Sequence, residues 1–400
     1  MRCMIPLLGL FACKAAAPPP ADPVEQVGGL DDPGAWLFTD ADVHSVALTL
    51  SDDARQALRD APFEYAAGDA IIDGHPVGDI GVRIKGKYGS FRDIKEKPSL
   101  KFDFNHFEKG QTFYGLKKLN LNNAIADCSY ERDRVSYKVF AAAGLPSLRT
   151  SYAHVTINDE DYGLYVLVEA PDDQFLDRTF DEPDGNLYDG KYYMTDDWEF
   201  STLVDFTDSY DDYFRLDEGE DVGMTDIFAI TDAVEEHRRD DDYYEALGAL
   251  VDWDQILRHF AVEQWLGQND GYVLNQNNYF VYFDPVDGRA KLIAWDLDYA
   301  FLDASDWGMS WSSPQGVLAR YCRRDETCEA AWADAVALVI DRIDTDEILA
   351  YLDVLDAASI APAEADPRRE CRDRKLEAQR ADVRSRVEEA SASLAEFWDL

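Results

Sequence analysis

Apolar and polar positions alternate through much of the first half of the chain, as they do in β-strands that bury one face. The alternation is regular in segments 80–85 and 99–104, and the Asp73-Gly74 pair before the first segment is a hairpin signal. Two further strands are predicted over 152–159 and 163–170. We therefore predict a β-rich first half in which polar side chains share one face of the sheet.

The second half of the chain instead places its apolar residues at helical spacing. Helices are predicted there over 225–237, 241–250, 253–268 and about 366–397. A further helix is predicted in the first half, over 129–143. One late hairpin, 277–284 and 289–296, interrupts the later helices with a turn at Pro285–Gly288. This order predicts an α+β fold with a strand-rich N-terminal part and a helix-rich C-terminal part.

The N-terminus has the pattern of an export signal. The apolar run from Met4 to Ala12 is too short to span a bilayer, and Leu10-Phe11-Ala12-Cys13 resembles a bacterial lipobox. We predict a lipoprotein-type signal peptide over 1–12 and an Ala/Pro-rich tether over 13–38. The protein would then be exported, and either lipid-anchored at a bacterial membrane or cell surface or secreted. An apolar start that is never processed is the alternative.

Composition and charge narrow the classes of partner. The chain has 400 residues, 46% hydrophobic and 12% aromatic, so it can bury a core and is not a disordered acidic tail. Its formal net charge of -42 argues against nucleic acid and against an anionic membrane, so membrane contact is expected only through the lipid anchor. The charge favours metal ions and a basic protein substrate, although solubility or a salty habitat also accounts for the excess.

The cysteines are compatible with an oxidising compartment. Of the six, Cys128, Cys322, Cys328 and Cys371 lie beyond the predicted lipid-bearing residue. An even number in an exported chain is consistent with two disulfides, but the sequence does not choose among the three possible pairings. Cys322 and Cys328 are close enough in sequence to close a small loop, and we prefer this pair.

The densest chemical signal lies between residues 268 and 298. A predicted helix runs into a turn at Asp270, then into an amide-rich loop with Asn275 and Asn278, and then into the late hairpin, which ends at Asp296 and Asp298. Protein kinases use such a set: a loop Asp faces the hydroxyl nucleophile, a nearby Asn binds Mg²⁺, and an Asp after a hairpin binds metal and phosphates. Carboxylate and amide oxygens are the ligands that Mg²⁺ prefers.

Each part of this signal also has an ordinary structural interpretation. An Asn-Asp-Gly stretch is usually a surface turn, and Trp295-Asp296-Leu297-Asp298 alone is as often the capped end of a strand. A structural Ca²⁺ site is a further alternative, because Ca²⁺ takes the same oxygen ligands. Their occurrence together on one helix–loop–hairpin unit favours a functional site.

These segments resemble the spore-coat CotH kinase family of secreted and surface-attached protein kinases, over most of residues 40–305. Besides the Asp270 loop and 295–298, the resemblance is carried by 83–86 with Ser90, 97–102, 115–122, 127–129 with Arg132, 163–169 and 185–188. Each segment is short, but their order and number make the match specific.

The resemblance implies an atypical, kinase-like two-lobe fold. The CotH-like domain would cover 39–400, with an N-lobe over about 39–170 and a C-lobe over 171–400. Within the C-lobe, residues 181–222 are rich in Asp, Gly and Tyr without a clean period, and we predict an irregular insertion there.

The resemblance also implies an activity, the transfer of the ATP γ-phosphate to serine or threonine of a protein. Carried over by position, Asp270 matches the catalytic aspartate and Asp296 the metal-binding aspartate, with Asp298 beside it. The asparagine directly before the aromatic strand is Asn278, whereas the spacing from the aspartate selects Asn275, so both remain candidate metal ligands.

A kinase also needs a cation on the phosphates, and several residues qualify. Lys101 alternates with apolar neighbours, and Arg83 and Lys85 precede glycines that would let the backbone approach phosphate. We prefer Lys101, with Arg83 and Lys85 as rivals, and a solvated lysine on a strand face is the alternative for each. Residues 165–169, which end at Glu169, are predicted to form the strand and linker that touch adenine, with a plain buried strand as the alternative.

We therefore expect an exported, ATP-dependent protein Ser/Thr kinase of CotH type that uses Mg²⁺ or Mn²⁺ and acts on a basic protein. One alternative is a non-catalytic surface adhesin or coat-assembly protein of the same fold. The other is a Ca²⁺-stabilised carbohydrate-binding domain, which the Asp- and Tyr-rich 181–222 stretch would suit.

Overall fold

The computed structural model describes residues 32–87, 89–195 and 199–400. The predicted signal peptide, Cys13 and most of the predicted tether lie outside these ranges, so they stay predictions. Within the ranges, no helix has the length and apolar character needed to cross a membrane.

The last residues of the predicted tether are packed against the domain. A 3-10 turn at Ala35–Leu37 buries Leu37 completely. The Ser151 hydroxyl donates a hydrogen bond to the Leu37 carbonyl at 2.6 Å, and Asp32 is ion-paired with Arg149. This end of segment 13–38 therefore belongs to the folded domain.

The N-terminal part is a closed barrel of seven strands. In chain order they are β1 Val43–Leu50, β2 Ala66–Ile72, β3 His75–Lys85, β4 Ser99–Asp103, β5 Lys118–Asn122, β6 Thr150–Ile157 and β7 Glu160–Glu169. Their order around the barrel is β1-β2-β3-β4-β5-β7-β6, and only β1 and β6 pair in parallel. Closure removes the exposed strand edges that an open sheet would leave.

The alternation in the sequence decides which side chains fill the barrel. Ile84, Leu100 and Leu121 are fully buried in its interior. Arg83 and Lys101, which alternate with such residues, pair in register across β3 and β4 and line a cavity outside the barrel. The polar outer face predicted from the alternation is therefore present in the fold.

Three helices accompany the barrel strands: α1 Asp52–Asp60, α2 Arg132–Ala142 and α3 Asp173–Thr179. Ser51 caps α1 by accepting a hydrogen bond from the Ala54 N–H at 3.1 Å. Helix α2 begins after the predicted Ser129, because Tyr130 takes a left-handed backbone conformation with φ 62°. The Asp127 carboxylate instead accepts the Ser129 and Arg132 N–H groups, both at 2.9 Å.

The C-terminal part contains the remaining strands: β8 Leu187–Asp189, β9 Tyr193–Met194, β10 Ser201–Thr202, β11 Arg215–Glu218, β12 Tyr279–Asp284 and β13 Arg289–Ala294. The predicted hairpin is β12 and β13, which extend a sheet of order β11-β8-β12-β13. Segment 181–222 thus supplies four short strands where we expected irregular structure. They are only two to four residues long, too short for a visible period of two.

The remaining helices are α4 Thr225–His237, α5 Tyr243–Leu247, α6 Trp253–Leu266, α7 Tyr272–Asn275, α8 Val317–Cys322, α9 Glu326–Arg342, α10 Thr345–Ala365 and α11 Asp373–Trp398. The predicted α+β fold, strand-rich first and helix-rich later, is confirmed. The predicted terminal helix over 366–397 begins only at residue 373, because residues 366–372 form a loop that is fastened to the barrel.

A buried ion pair and a disulfide hold this loop. Lys97 Nζ donates to Asp366 Oδ2 at 2.5 Å, and the Tyr130 hydroxyl donates to the same oxygen at 3.0 Å. Lys97 and Asp366 are both buried, so each charge depends on the other. Five residues further along the loop, Cys371 pairs with Cys128 beside α2.

The structure pairs Cys128 with Cys371 and Cys322 with Cys328. The second pair is the one that we preferred from the sequence. The partners are separated by 243 and 6 residues, respectively. Because a longer closed loop restricts the unfolded chain more, replacing both cysteines of the long-range pair by serine should cost about 5 kcal/mol, against about 2 kcal/mol for the short one. Denaturant unfolding of the two double variants measures this, and equal losses would contradict it.

Candidate active site

A cavity of about 1060 Å³ lies between the outer face of the barrel and the C-terminal part. It brings together eight of the nine residues singled out from the sequence, which are Arg83, Lys85, Lys101, Asp270, Asn275, Asn278, Asp296 and Asp298. Acidic and amide groups from the Asp270 loop and the end of β13 share the cavity with cations from the barrel. The ninth residue, Glu169, is not among the residues that line it.

Two buried carboxylates fix the loop that carries Asp270. Glu263, on α6, accepts hydrogen bonds from the Tyr272 N–H at 2.9 Å and the Val273 N–H at 2.8 Å. These are free N–H groups of the first turn of α7, so Glu263 acts as its cap. His259 Nε2 lies 3.1 Å from the same Glu263 carboxylate. The conformation directly after Asp270 is thereby set from within the core.

The other end of α7 is held by Asp205, which is fully buried. Its carboxylate accepts hydrogen bonds from the Tyr272 hydroxyl at 3.0 Å, the Gln276 side-chain amide at 2.6 Å and the Val317 N–H at 2.9 Å. Burial raises the pKa of Asp205, and these hydrogen bonds to its charged form oppose that shift. Asp205 therefore connects α7 to the start of α8.

The Asp270 carboxylate accepts hydrogen bonds from three side-chain amides. Asn275 and Asn277 donate to Oδ1 at 2.6 and 3.1 Å, and Asn278 donates to Oδ2 at 2.9 Å. Burial raises the pKa of Asp270 to about 6, against the lowering effect of these amides. The group can therefore accept a proton near neutral pH while its orientation is fixed.

The three asparagines differ in the hydrogen bonds that their side-chain carbonyl oxygens accept. Asn277 Oδ1 accepts the Tyr192 N–H at 2.7 Å, so it is occupied. Asn275 and Asn278 Oδ1 accept no hydrogen bond from any residue that the structure describes. Asn278 also donates to the Asp296 carbonyl at 3.3 Å, and so it lies between Asp270 and Asp296. Both candidate amide ligands are present, and Asn278 is the one that contacts both aspartates.

The strand-end pair Asp296 and Asp298 occupies a bent segment after β13. Asp296 has a left-handed backbone with φ 51°, and Asp133 Oδ1, on α2, accepts the N–H of Leu297 at 2.7 Å. Burial and then the neighbouring charge of Asp296 raise the pKa of Asp298 and bring that of Asp133 to about 7. This concentration of carboxyl groups is the electrostatic setting in which a divalent cation binds well.

Lys85 is the cation that the barrel brings to these carboxylates. Its ammonium donates to Asn122 Oδ1 at 2.6 Å, and Asn122 Nδ2 donates to Asp133 Oδ2 at 2.9 Å. It also lies 4.7 Å from the centre of the Trp295 ring. Burial lowers the pKa of Lys85, while Asp296 and Asp133 act in the opposite direction. Asn122 thus connects Lys85 to Asp133 on α2.

Arg83 and Lys101 line the same cavity as Lys85. Arg83 lies two residues before Lys85 on β3. Arg83 and Lys101 pair in register with each other, and Lys101 pairs on its other side with Asn120 of β5. Burial lowers the pKa of Lys101 to about 8, and the charge of Asp217 opposes this. Of the three candidates, only Lys85 lies beside the Asp296 cluster.

Glu169 has a different environment. The residue is only 2% exposed. Its carboxylate is ion-paired with Arg149 at 2.7 Å and with Arg178 at 2.8 Å. These contacts connect the end of β7 to β6 and α3. The structure does not bring Glu169 to the other site residues, and its role at a nucleotide stays a prediction.

The arrangement fits a divalent cation and a phosphate-bearing ligand. Asp296, Asp298, Asn278 and Asn275 offer only oxygen atoms, which suits Mg²⁺, Mn²⁺ or Ca²⁺. Within the described ranges, three His or Asp ligand atoms lie within 4.8 Å of one another at His237, Asp240 and Asp242, which are partly or fully exposed. The carboxylates of the Asp296 cluster are not spaced this closely. Lys85, Arg83 and Lys101 offer positive charge on the opposite wall, where phosphates would lie.

A protein-family model matches more than half of the chain. The model of the CotH kinase protein family matches residues 82–349. The matched range is more than half of the chain and includes the end of β3, the Asp270 loop and the segment after β13. The chain therefore belongs to the CotH kinase family, as the resemblance predicts.

Among curated proteins, the chain is similar to the inner spore coat protein H of Bacillus subtilis (strain 168). The two are 26% identical over 227 residues, which is 55% of this chain and 58% of that protein. The chain thus matches little more than half the length of this relative.

Two solved structures show distant similarity. The Helicobacter pylori proinflammatory kinase CtkA is 11% identical, with 77% of this chain and 92% of that chain covered and a TM-score of 0.36. HipA of a Shewanella oneidensis MR-1 toxin–antitoxin system is 11% identical, with 81% and 66% covered and a TM-score of 0.30. At these TM-scores the likeness adds nothing to the argument for the site.

Proposed function

We propose that this member of the CotH family is an ATP-dependent protein serine/threonine kinase. The observation that carries the proposal is the position of Asn278, whose amide donates to both Asp270 and the Asp296 backbone. Asp270, Asn278 and Asp296 line one cavity. This supports assigning them as the hydroxyl-facing carboxylate, the metal-binding amide and the post-hairpin carboxylate that phosphoryl transfer requires.

In this proposal each residue has one role. Asp270 orients the acceptor hydroxyl and takes its proton, since its carboxylate is held by amides and faces the cavity. Asp296 and Asn278, with Asn275 and Asp298 near them, would hold Mg²⁺ or Mn²⁺, which neutralises charge on the transferred phosphate. Lys85 contacts the phosphates from the barrel side, and Asp133 and Asn122 hold Lys85 in place.

The acidic surface supports a basic protein substrate. With a net charge of -42, the chain attracts cationic segments and repels other acidic proteins and nucleic acid. A spore-coat or cell-surface substrate is suggested by the similarity to inner spore coat protein H, and it forms part of the proposal.

Ligand-induced stabilisation separates this function from its alternatives. A ligand that binds only the folded protein raises the melting temperature. ATP with Mg²⁺ should therefore raise it, and ATP without metal should do so less. Stabilisation by Ca²⁺ alone, without any effect of ATP, would instead support a structural ion site in a binding domain, and no effect of either ligand would support an adhesin.

Export and lipid anchoring complete the proposal. The lipobox-like run that ends at Cys13 supports them, and so do the two disulfide pairs among residues beyond it. We expect Cys13→Ser to release the protein from the membrane fraction or to leave the precursor unprocessed. Membrane fractionation and N-terminal sequencing check this, and an unchanged distribution with an unchanged N-terminus would refute the anchor.

Lys101 gives the proposed donor site a pH signature. Burial holds its pKa at about 8, with Asp217 raising it and Arg83, Lys118 and Lys191 lowering it further. Donor affinity should fall as the pH rises from 7 to 9, because the ammonium loses its proton. Lys101→Arg should keep its affinity over this range, since a guanidinium stays charged. Calorimetric titration of ATP at each pH measures this, and an identical fall in both proteins would exclude Lys101 as the cause.

A further inference from the structure

More lysine and arginine side chains line the cavity than lie beside the Asp296 cluster. Six lysine and arginine residues line it, in a protein with a net charge of -42. Lys85 is hydrogen-bonded to Asn122, and Lys191 is paired with Asp189. Lys87 donates a hydrogen bond to the Tyr192 carbonyl at 3.0 Å. The other three cations, Arg83, Lys101 and Arg215, also line the cavity.

Arg83, Lys101 and Arg215 form what we name the inner cationic group. In the described parts of the chain, none of the three has a carboxylate within ion-pair distance. Arg83 and Lys101 are register partners on β3 and β4, and Arg215 lies on β11 across the cavity. Arg215 stacks at 4.7 Å on the ring of Tyr193. Arg83 lowers the pKa of Lys101, whereas Asp217 raises it, so an anion beside Arg83 and Lys101 would stabilise both cations.

The inner cationic group continues the line that begins at Lys85. Arg83 and Lys85 share one face of β3 two residues apart, which is roughly 7 Å along a strand. Cationic side chains therefore line the cavity from the Asp296 cluster to the inner cationic group, and Asp217 lies in the same cavity wall. A compact anion would contact only one end of this line, whereas an extended phosphate chain would contact all of it.

The side-chain types agree with phosphate. The planar guanidinium of arginine matches the geometry of a phosphate in a bidentate contact, and lysine supplies a point charge. Two of the three inner cations are arginines. The cavity of about 1060 Å³ lies at the upper end of the range for small-molecule sites, so it has room for a long ligand.

We infer that the cavity recognises the phosphate chain of the donor along its length, so that inorganic polyphosphate serves as a phosphoryl donor in addition to ATP. The inference rests on the proposed kinase function and names a further donor for the same site. The acceptor oxygen bonds to the terminal phosphorus, and the bond from that phosphorus to its bridging oxygen breaks. The shortened polyphosphate leaves with the electron pair, and the hydroxyl proton goes to Asp270.

Parallel reactions with ATP and with long-chain inorganic polyphosphate test this inference. The full chain is incubated with Mg²⁺, a basic serine-containing peptide and one donor, and peptide phosphorylation is followed by mass spectrometry. We expect phosphopeptide with either donor, and we expect inorganic tripolyphosphate to compete with ATP for binding. Lys101→Gln should weaken tripolyphosphate binding roughly tenfold or more, because it removes a charged contact.

Two control variants separate loss of a charged contact from an unspecific effect of substitution. Lys101→Arg preserves the charge and should retain binding, and Lys375→Gln removes an exposed cation on α11 and should leave binding unchanged. Transfer from ATP but not from polyphosphate, or binding of polyphosphate without transfer, would overturn the inference and leave the kinase function intact. An unchanged tripolyphosphate affinity in Lys101→Gln would overturn the assigned subsite. Absence of transfer from either donor would refute the kinase function itself.

Discussion

Asp270→Asn should lower phosphoryl transfer by about 10²- to 10⁴-fold while nucleotide affinity stays near that of the wild type. The substitution removes the proton acceptor but keeps the size of the side chain. Since the acceptor hydroxyl gives up its proton only in the transition state, the loss should appear in kcat more than in binding. Steady-state transfer to a basic serine peptide and calorimetric titration of ATP with Mg²⁺ measure the two effects separately.

The contacts of Asp270 define the control for this variant. Three amides donate to its carboxylate, so the new amide nitrogen must face at least one donor. Asn278 can turn its carbonyl towards it at the expense of its contact with Asp296. We expect a stability cost of about 1 kcal/mol, the usual value of one hydrogen bond. A variant that melts far below wild type, or that transfers phosphate at the wild-type rate, would contradict the assigned role.

Asp296→Asn should abolish the metal dependence of nucleotide binding as well as transfer. The change weakens the central carboxylate of the cluster, so the affinity for ATP with Mg²⁺ should fall by at least roughly tenfold, while the weak affinity without metal stays the same. Stability without metal should not fall, because the charge of Asp296 acts unfavourably on Asp133 and Asp298.

Two readouts separate this effect from unfolding. Melting temperatures of wild type and Asp296→Asn are compared with and without Mg²⁺, and ATP is titrated under both conditions. The wild type should gain stability from Mg²⁺ and the variant should gain little. If the variant instead melts far below wild type without metal, Asp296 supports the fold and is not primarily a metal ligand.

Much of the fold was predictable because short-range patterns decide it. The alternation around Arg83 and Lys101 fixed the face of the barrel strands, and Asp73-Gly74 marked a hairpin that the structure contains. Barrel closure was not predictable, since it depends on the parallel pairing of β1 with β6 across more than a hundred residues. The strands within 181–222 were missed because they are too short to show a period.

The cavity-lining residues of the candidate site were more predictable than the residues that support them. Asp270, Asn278 and Asp296 occur in a recognisable order around one hairpin. Glu263 and Asp205, which hold the loop, look in the sequence like ordinary acidic residues of a helix and a connecting segment. Only their burial and their hydrogen bonds to α7 reveal them.

The choice among the lysines also needed the three-dimensional structure. Lys85 and Lys101 have the same pattern of apolar neighbours, so our preference for Lys101 had no support in the alternation alone. Their environments differ because Asn122 connects Lys85 to Asp133, on a helix that lies outside the barrel. Such a contact depends on the docking of α2, which local sequence does not specify.

The most direct test of the central claim is transfer of the ATP γ-phosphate to a protein hydroxyl. Purified wild type and Asp270→Asn are incubated with γ-labelled ATP, Mg²⁺ or Mn²⁺ and a basic serine-containing peptide, and the label on the peptide is counted and located by mass spectrometry. The account predicts metal-dependent phosphoserine with the wild type and almost none with the variant. Label that is absent with the wild type, or equal in both proteins, would contradict it.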